Sequence, residues 1–399
     1  MAITILDTPA SYSSMHDDLW FTSSSTNSGT TNFKFVYDVK VNGNLVARSK
    51  VFPDIVGSYG VFNAAPIVRA YSTNYFEPSG SSILVESNDK LKVIYKVEIG
   101  EEVSGVVTTN MASGEYSGYN YYQPLFADMF KTNAITLSTY YDALLSTNFS
   151  DNFLTERDGD EIKATYGENF FVSYWKKTGG TYIAKVDVIN ADQTIATSVS
   201  ANITLTGEFN MFNLNAANVN AWAGSTIITE NTYAYDFYLV LSSVSSRKIR
   251  ISQDCNGKFT PYNIHFLNRV GGWDTFKFGL VNKRNSEVQK SSYKKSEWQL
   301  TGSSMSNSDA YNKFNETNID YNIKHTNRYH LVADYINEQN YEWLGQLIAS
   351  PSVYMEVQGA YFPVSVRNNN YDYKKLISDK LFNLEIDVEI NKNINSQFR

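Results

Sequence analysis

The densest set of side chains able to do chemistry is Glu156-Arg157-Asp158-Gly159-Asp160-Glu161. Carboxylates at alternate positions offer hard oxygen ligands to Ca²⁺. The run lacks the later ligands and closing Glu of an EF-hand loop, so it reads as a solvated turn ahead of a strand. A retaining glycosidase needs two carboxyl groups about 5–5.5 Å apart, and among 41 acidic residues no pair stands out. His325 and His330 are five apart, whereas a zincin places His at i and i+4 of a helix with Glu beside the first. They read as ordinary polar or packing residues. Cys255, the single cysteine, lies in the turn-like Gln-Asp-Cys-Asn-Gly with no partnered His and reads as packed. Walker A, dinucleotide and Gly-x-Ser-x-Gly signatures are absent. The expectation is no catalytic residue, no metal ligand, no cofactor and no enzymatic activity.

Tyr262, Phe266, Trp273, Phe276 and Phe278 form an aromatic group that could stack on sugars or bases. Alternating aromatics more commonly fill a β core, and that reading is carried forward. Asn148, Asn202 and Asn315 sit in Asn-x-Ser/Thr sequons, read as chance matches because the Met-Ala-Ile-Thr start has no secretory character.

The elements that must position these groups are mostly strands. Phe33, Phe35, Tyr37, Val39 and Val41 alternate with polar residues, and Asn42-Gly43 is a hairpin turn signal. Leu91, Val93, Tyr95, Val97 and Ile99 alternate again. Leu125, Phe126, Met129 and Phe130, then Tyr140, Tyr141, Leu144 and Leu145, have helical spacing. Phe170 to Tyr174, Tyr233 to Leu241, and Tyr262 to Phe266 return to period two. Asn210 to Asn220 reads as a loop, and Ser291 to Ser308 as an exposed excursion. Asn268, Gly271, Gly272 and Trp273 mark a strand-breaking turn. Asn337 can cap a helix whose stripe is Tyr341, Leu344, Leu347 and Ile348, and Ser350-Pro351 stops it. Trp343 falls off that stripe and is expected to anchor a neighbouring subunit.

The fold expected is mainly β with minor α: two or three antiparallel β-sandwich-like domains, short connecting helices and one C-terminal-region helix. The divisions are 1–115, an N-terminal sandwich; 116–155, a helical connecting arm; 156–255, a second β domain; and 256–399, an α+β region completing the core. The chain has 399 residues, enough for two or three domains. Net charge is −7, against a non-specific DNA binder. One cysteine excludes an internal disulfide. Aromatics reach 15% and charged residues 19%, a balance that suits surfaces facing other proteins. No apolar run is long enough for a transmembrane helix, so no membrane partner is expected.

Three segments carry a resemblance. They are Thr31–Tyr71, with Lys-Phe-Val-Tyr-Asp-Val-Lys-Val-Asn-Gly and Asn-Ala-Ala-Pro-Ile-Val-Arg; Cys255–Phe278, with His-Phe-Leu-Asn-Arg-Val-Gly-Gly-Trp-Asp; and Tyr335–Val366, with Tyr-Glu-Trp-Leu-Gly-Gln-Leu-Ile. The chain resembles virion structural proteins, the tail and collar ring proteins of crAss-like tailed phages that infect Bacteroides. That resemblance implies a cyclic homo-oligomeric ring, twelve-fold in symmetry, contacting portal and other tail or collar proteins. It implies genomic DNA passing without sequence-specific binding, and assembly in the host cytoplasm into the virion. A carbohydrate-binding adhesin is the alternative, and a glycosidase-type depolymerase the third reading.

Overall fold

Asn42 and Gly43 both have positive φ, 49° and 81°, the geometry of a type I′ turn. They join strands Lys34–Val41 and Asn44–Val51, paired antiparallel with Val41 opposite Asn44. The computed structural model describes residues 3–9, 11–74, 76–79, 82–119, 153–157, 159, 161–176, 180–254, 259–295, 316–367 and 382–391. The chain is mainly β with minor α, and the strand pairings described among these residues are antiparallel apart from two short parallel ones. Those are Tyr12–Ser14 with Val106–Tyr119, and Glu161–Ala164 with Ile249–Gln253.

Two compact units are present. The first comprises Met1–Asn256, His265–Phe276 and Gln339–Pro351; the second comprises Gly257–Ile264, Lys277–Glu338 and Ser352–Arg399. The first holds two sandwich-like cores. In one, a three-stranded sheet (Ile3–Asp7, Trp20–Ser25, Gly60–Asn63) faces a five-stranded sheet ordered Tyr12–Ser14, Val106–Tyr119, Lys92–Val103, Lys34–Val41, Asn44–Val51. Tyr37 from one sheet stacks on Phe62 of the other at 4.8 Å and meets the Ser23 hydroxyl at 2.8 Å. In the other, the path Glu161–Ala164, Ile249–Gln253, Ala234–Leu241, Tyr182–Ile189, Ile195–Ile203 packs with Phe171–Trp175, Phe209–Asn213 and Leu84–Asn88. Leu84–Asn88 precedes residue 115 yet pairs with Phe209–Asn213, so the first 115 residues do not form a closed block.

Several local expectations are corrected. Val106–Tyr119 is one strand, so the first four residues of the 116–155 arm are β; Leu125 to Leu145 lie outside the described residues. Asn210–Asn220 is no loop. Phe209–Asn213 is a buried strand, and Asn215 caps helix Ala216–Ala223 by accepting the Asn218 N–H at 2.7 Å. Asparagine here caps a helix rather than filling a loop. Ser291–Lys294 belongs to strand Lys283–Lys294, and 296–315 lie outside the described residues.

In the second unit, Lys283–Lys294, Asn318–Val332, Glu385–Ile390, Ala360–Val366 and Val353–Val357 pair successively in antiparallel register. Helices Ala65–Arg69 and Glu338–Ala349 lie in the first unit, the latter from Gln339 on; it is Glu338–Ala349 that packs at the turn around Asn268. It buries Tyr341, Trp343, Leu344 and Leu347, while Ile348 is only half-buried.

Candidate functional site

Asn268 organises the turn between strands Tyr262–Leu267 and Trp273–Phe278. Its Oδ1 accepts the N–H groups of Val270 at 3.1 Å and Gly272 at 2.9 Å, and its own N–H donates to the Gly272 carbonyl at 2.9 Å. Gly271 has φ of 82°, where a glycine is favoured. A Cβ on Gly272 would collide with the carbonyl oxygen of Leu154. The Asn268 amide also donates to the Leu154 carbonyl at 2.8 Å and to Asp274 Oδ2 at 2.9 Å. Trp273 is fully buried against Phe76, and its backbone N–H donates to Ser173 Oγ at 2.8 Å.

The helix Glu338–Ala349 docks on this turn. Trp343, the expected interface anchor, is 4% exposed within the single chain, which corrects that expectation. Its Nε1–H donates to Asp274 Oδ2 at 3.1 Å. Its ring packs against Phe266 and Phe276 and lies under the Arg157 guanidinium at 4.4 Å. Both the residue and its polar tip are consumed inside the unit. Arg157 also donates to the Thr275 carbonyl. Glu156 pairs with Arg269 and accepts the Gln346 amide at 2.7 Å, while Gln346 Oε1 accepts the Arg269 N–H at 3.1 Å. Ser350, just before Pro351, donates to the Leu267 carbonyl at 2.8 Å.

Burial raises the Asp274 carboxyl above its ordinary value, opposed by the Arg157 charge and by the donors of Asn268, Thr155 and Trp343. The arrangement is a closed clamp, held by charge-assisted hydrogen bonds whose partners are all protein groups. Beneath it, His265 was not singled out from the sequence. It is wholly buried against Phe76 and Phe171, with Nδ1 2.9 Å from Thr275 Oγ1. Its signal was only an alternating position in the Tyr262–Leu267 strand.

The structure thus brings together Asn268, Gly271, Gly272, Trp273, Trp343 and Pro351, and leaves Asn42-Gly43 in a separate hairpin. Of the aromatic group, Trp273, Phe266 and Phe278 are buried, while Tyr262 and Phe276 are half-buried. In the acidic run, Glu156 belongs to the clamp and Glu161 accepts from Ser252, while Asp158 and Asp160 lie outside the described residues. His325 and His330 sit on strand Asn318–Val332; His330 contacts Asp387 at 2.9 Å and Glu385 at 3.4 Å. Cys255, Asn148 and Asn315 lie outside the described residues, and Asn202 is exposed on strand Ile195–Ile203. Among the described residues no group of three His, Cys, Asp or Glu side chains could hold a metal. No helix among them is long and apolar enough to cross a membrane.

A second polar feature is Glu86, on Leu84–Asn88. It lines a cavity of about 10 Å³ with Ser173, Asn210 and Trp273. Desolvation, the largest cause, pushes its carboxyl up to about 7; Lys90 opposes the shift and Glu77 adds to it.

No protein-family profile matches the chain, and no curated protein matches it. Among solved structures it is similar to the FN1-FN3 domains of chicken CNTN1, at 12% identity and a TM-score of 0.19, over 62% of this chain and 64% of that one. The chain therefore spans less than two thirds of that structure.

Proposed function

We propose that the chain is a structural subunit that works by assembly, a tail or collar component that forms a cyclic ring in a short-tailed phage virion. The observation that carries this reading is the loop between strands Asn44–Val51 and Gly60–Asn63. Ile55 is 100% exposed and Val56 94% exposed, with Phe52, Tyr59 and Val61 also exposed. The loop is closed by the Asp54 N–H to the Tyr59 carbonyl at 2.8 Å and the Ser58 N–H to the Asp54 carbonyl at 2.9 Å. Trp20 and Leu6, on the three-stranded sheet that contains Val61, are exposed as well. Contiguous exposed apolar surface marks a contact with another macromolecule. Neighbouring cations are already paired, Lys34 and Lys50 with Glu102 and Arg48 with Asp38, which favours a protein partner over anionic lipid.

A ring needs heterologous contacts around a rotation axis, and a protruding apolar loop suits one half of such a contact. In this reading the subunits assemble in the host cytoplasm, meet portal and other tail proteins, and let genomic DNA pass without reading its sequence. The adhesin alternative keeps only its Tyr-rich loops as motive, because Trp273 is buried. Native mass spectrometry and sedimentation with neighbouring tail proteins present test the reading. A closed ring is expected, and its loss on Ile55→Ser with Val56→Ser. A monomer at every concentration with those proteins present would overturn it.

A further inference from the structure

Strand Ile195–Ile203 ends the path of its sheet, paired on one side with Tyr182–Ile189 and, among the described residues, with nothing on the other. Seven of its nine residues are exposed and the other two half-buried. Its sequence, Ile-Ala-Thr-Ser-Val-Ser-Ala-Asn-Ile, holds no charged residue and no proline. Native edges are normally guarded by charge, proline or shortness, since an open edge templates pairing with another chain. Other long edges of this molecule follow that rule. Asn44–Val51 carries Arg48 and Lys50, and Lys283–Lys294 carries Lys283, Arg284, Lys290 and Lys294. Ile195–Ile203 has none of these three; its one irregularity is a bulge at Ala196, between the pairs Val188–Thr197 and Ile189–Ile195, which leaves Thr197–Ile203 in regular register.

We propose that Ile195–Ile203 is a docking edge for a second copy of this chain, which adds its own Ile195–Ile203 antiparallel about a two-fold axis through Val199. The strand is nearly palindromic about Val199, and this names the occupant. The two-fold sets Val199 opposite Val199 and Thr197 opposite Ala201 of the second copy, and brings Ile203 toward the Ile195 end, past the bulge at Ala196. These lie on the face that Val186, Ala184 and Tyr182 present to the core, by their pairing with Val199, Ala201 and Ile203. On the other face Ser198 meets Ser200. Apolar groups meet mainly apolar or small ones, polar groups mainly polar or small ones, and no like charges are opposed. The flanks add charge complementarity. Asp192 precedes the strand, and Lys176 stands past its other end, donating to the Leu205 carbonyl. The antiparallel copy brings each toward the opposite sign. The sheet then runs unbroken through both copies, and both open edges disappear.

This contact is isologous and does not propagate around a cyclic ring, so it stands apart from the ring reading. The test uses the full chain alone, by sedimentation velocity and native mass spectrometry from micromolar to millimolar concentration. A concentration-dependent dimer is expected. Thr197→Lys with Ala201→Lys sets lysine opposite lysine twice and should weaken the dimer about tenfold or more, with the far-UV spectrum unchanged. Ile55→Ser with Val56→Ser should leave it intact. In a Cys255→Ser background, Val199→Cys should cross-link to itself with a short bis-maleimide. Ile195→Cys should not, because the antiparallel register holds the two copies' residues about 27 Å apart, eight residues at about 3.4 Å each. A chain monomeric throughout, a dimer that survives the double lysine variant, or equal cross-linking at both cysteine positions would each overturn the proposal. If the lysine variant misfolds, the cross-linking pair decides.

Discussion

Two regions of the first unit invert the usual distribution of polarity. At the clamp, Asp274, Asn268 and the Trp343 indole N–H are inside; on the loop after Asn44–Val51, Ile55 and Val56 are outside. Buried polar groups and exposed apolar patches are the informative departures in a folded chain. The clamp's inversion is resolved within the chain, because each polar group meets another at hydrogen-bond distance. The loop's inversion has no such resolution: its aliphatic side chains touch water over almost their whole surface. One region is finished by folding, and the other calls for a partner.

The largest effect that would break this comparison is at Trp343. Trp343→Ala should cost about 3–5 kcal/mol, as a buried aromatic truncation that also strips Asp274 of a donor. Denaturant unfolding of the isolated chain reads it directly. A change within about 0.5 kcal/mol, the range of ordinary surface substitutions, would mean the clamp does not hold the helix. Leu347→Ala, in the buried stripe of the same helix, should cost a comparable ~2–5 kcal/mol. Gly272→Ala comes next, at about 1–3 kcal/mol, because its methyl would drive into the Leu154 carbonyl.

Glu86 sits between the two classes, a carboxyl partly inside whose desolvation outweighs the nearby Lys90 charge. Its folded value near 7 lies above the ordinary 4.5. Its stabilising contribution is fully present below pH 4.5 and is lost as pH rises through about 7, because the unfolded chain releases this proton first. Glu86→Gln keeps the oxygen that accepts the Asn88 amide. It should flatten stability between pH 4.5 and 7 and leave the variant more stable than the parent above pH 7, by thermal melts across that range. A variant with the parent's pH slope would show that Glu86 does not carry it.

The β character, the Asn42-Gly43 hairpin and the helix ending before Pro351 were legible because period-two and period-3.6 patterns and turn residues act locally. The clamp was half legible. Asn268, Gly271 and Gly272 announced a turn, but nothing local shows that Glu156, Arg157 and Gln346 converge on it, since 113 residues separate Glu156 from Arg269 in sequence. Trp343 was misjudged for the same reason. A helical wheel places it about 100° from Leu344, and only the turn packed against that flank makes the flank interior. Asn210–Asn220 misled because asparagine favours loops and helix caps alike.

The smallest effect sharpens the comparison from the other side. Ile55→Ser with Val56→Ser removes two aliphatic groups that bury nothing in the single chain, so the folded state loses no transfer energy. Surface substitutions of this kind fall within about ±0.5 kcal/mol. The backbone bonds that close the loop, Asp54 to Tyr59 and Ser58 to Asp54, involve neither side chain and should persist. The double variant should therefore melt with the parent in isolation while losing assembly with neighbouring tail proteins, because the apolar area withdrawn on contact is gone. If it melts several degrees lower, Ile55 and Val56 pack inside the chain in solution, and the contrast between a finished clamp and an unfinished loop fails.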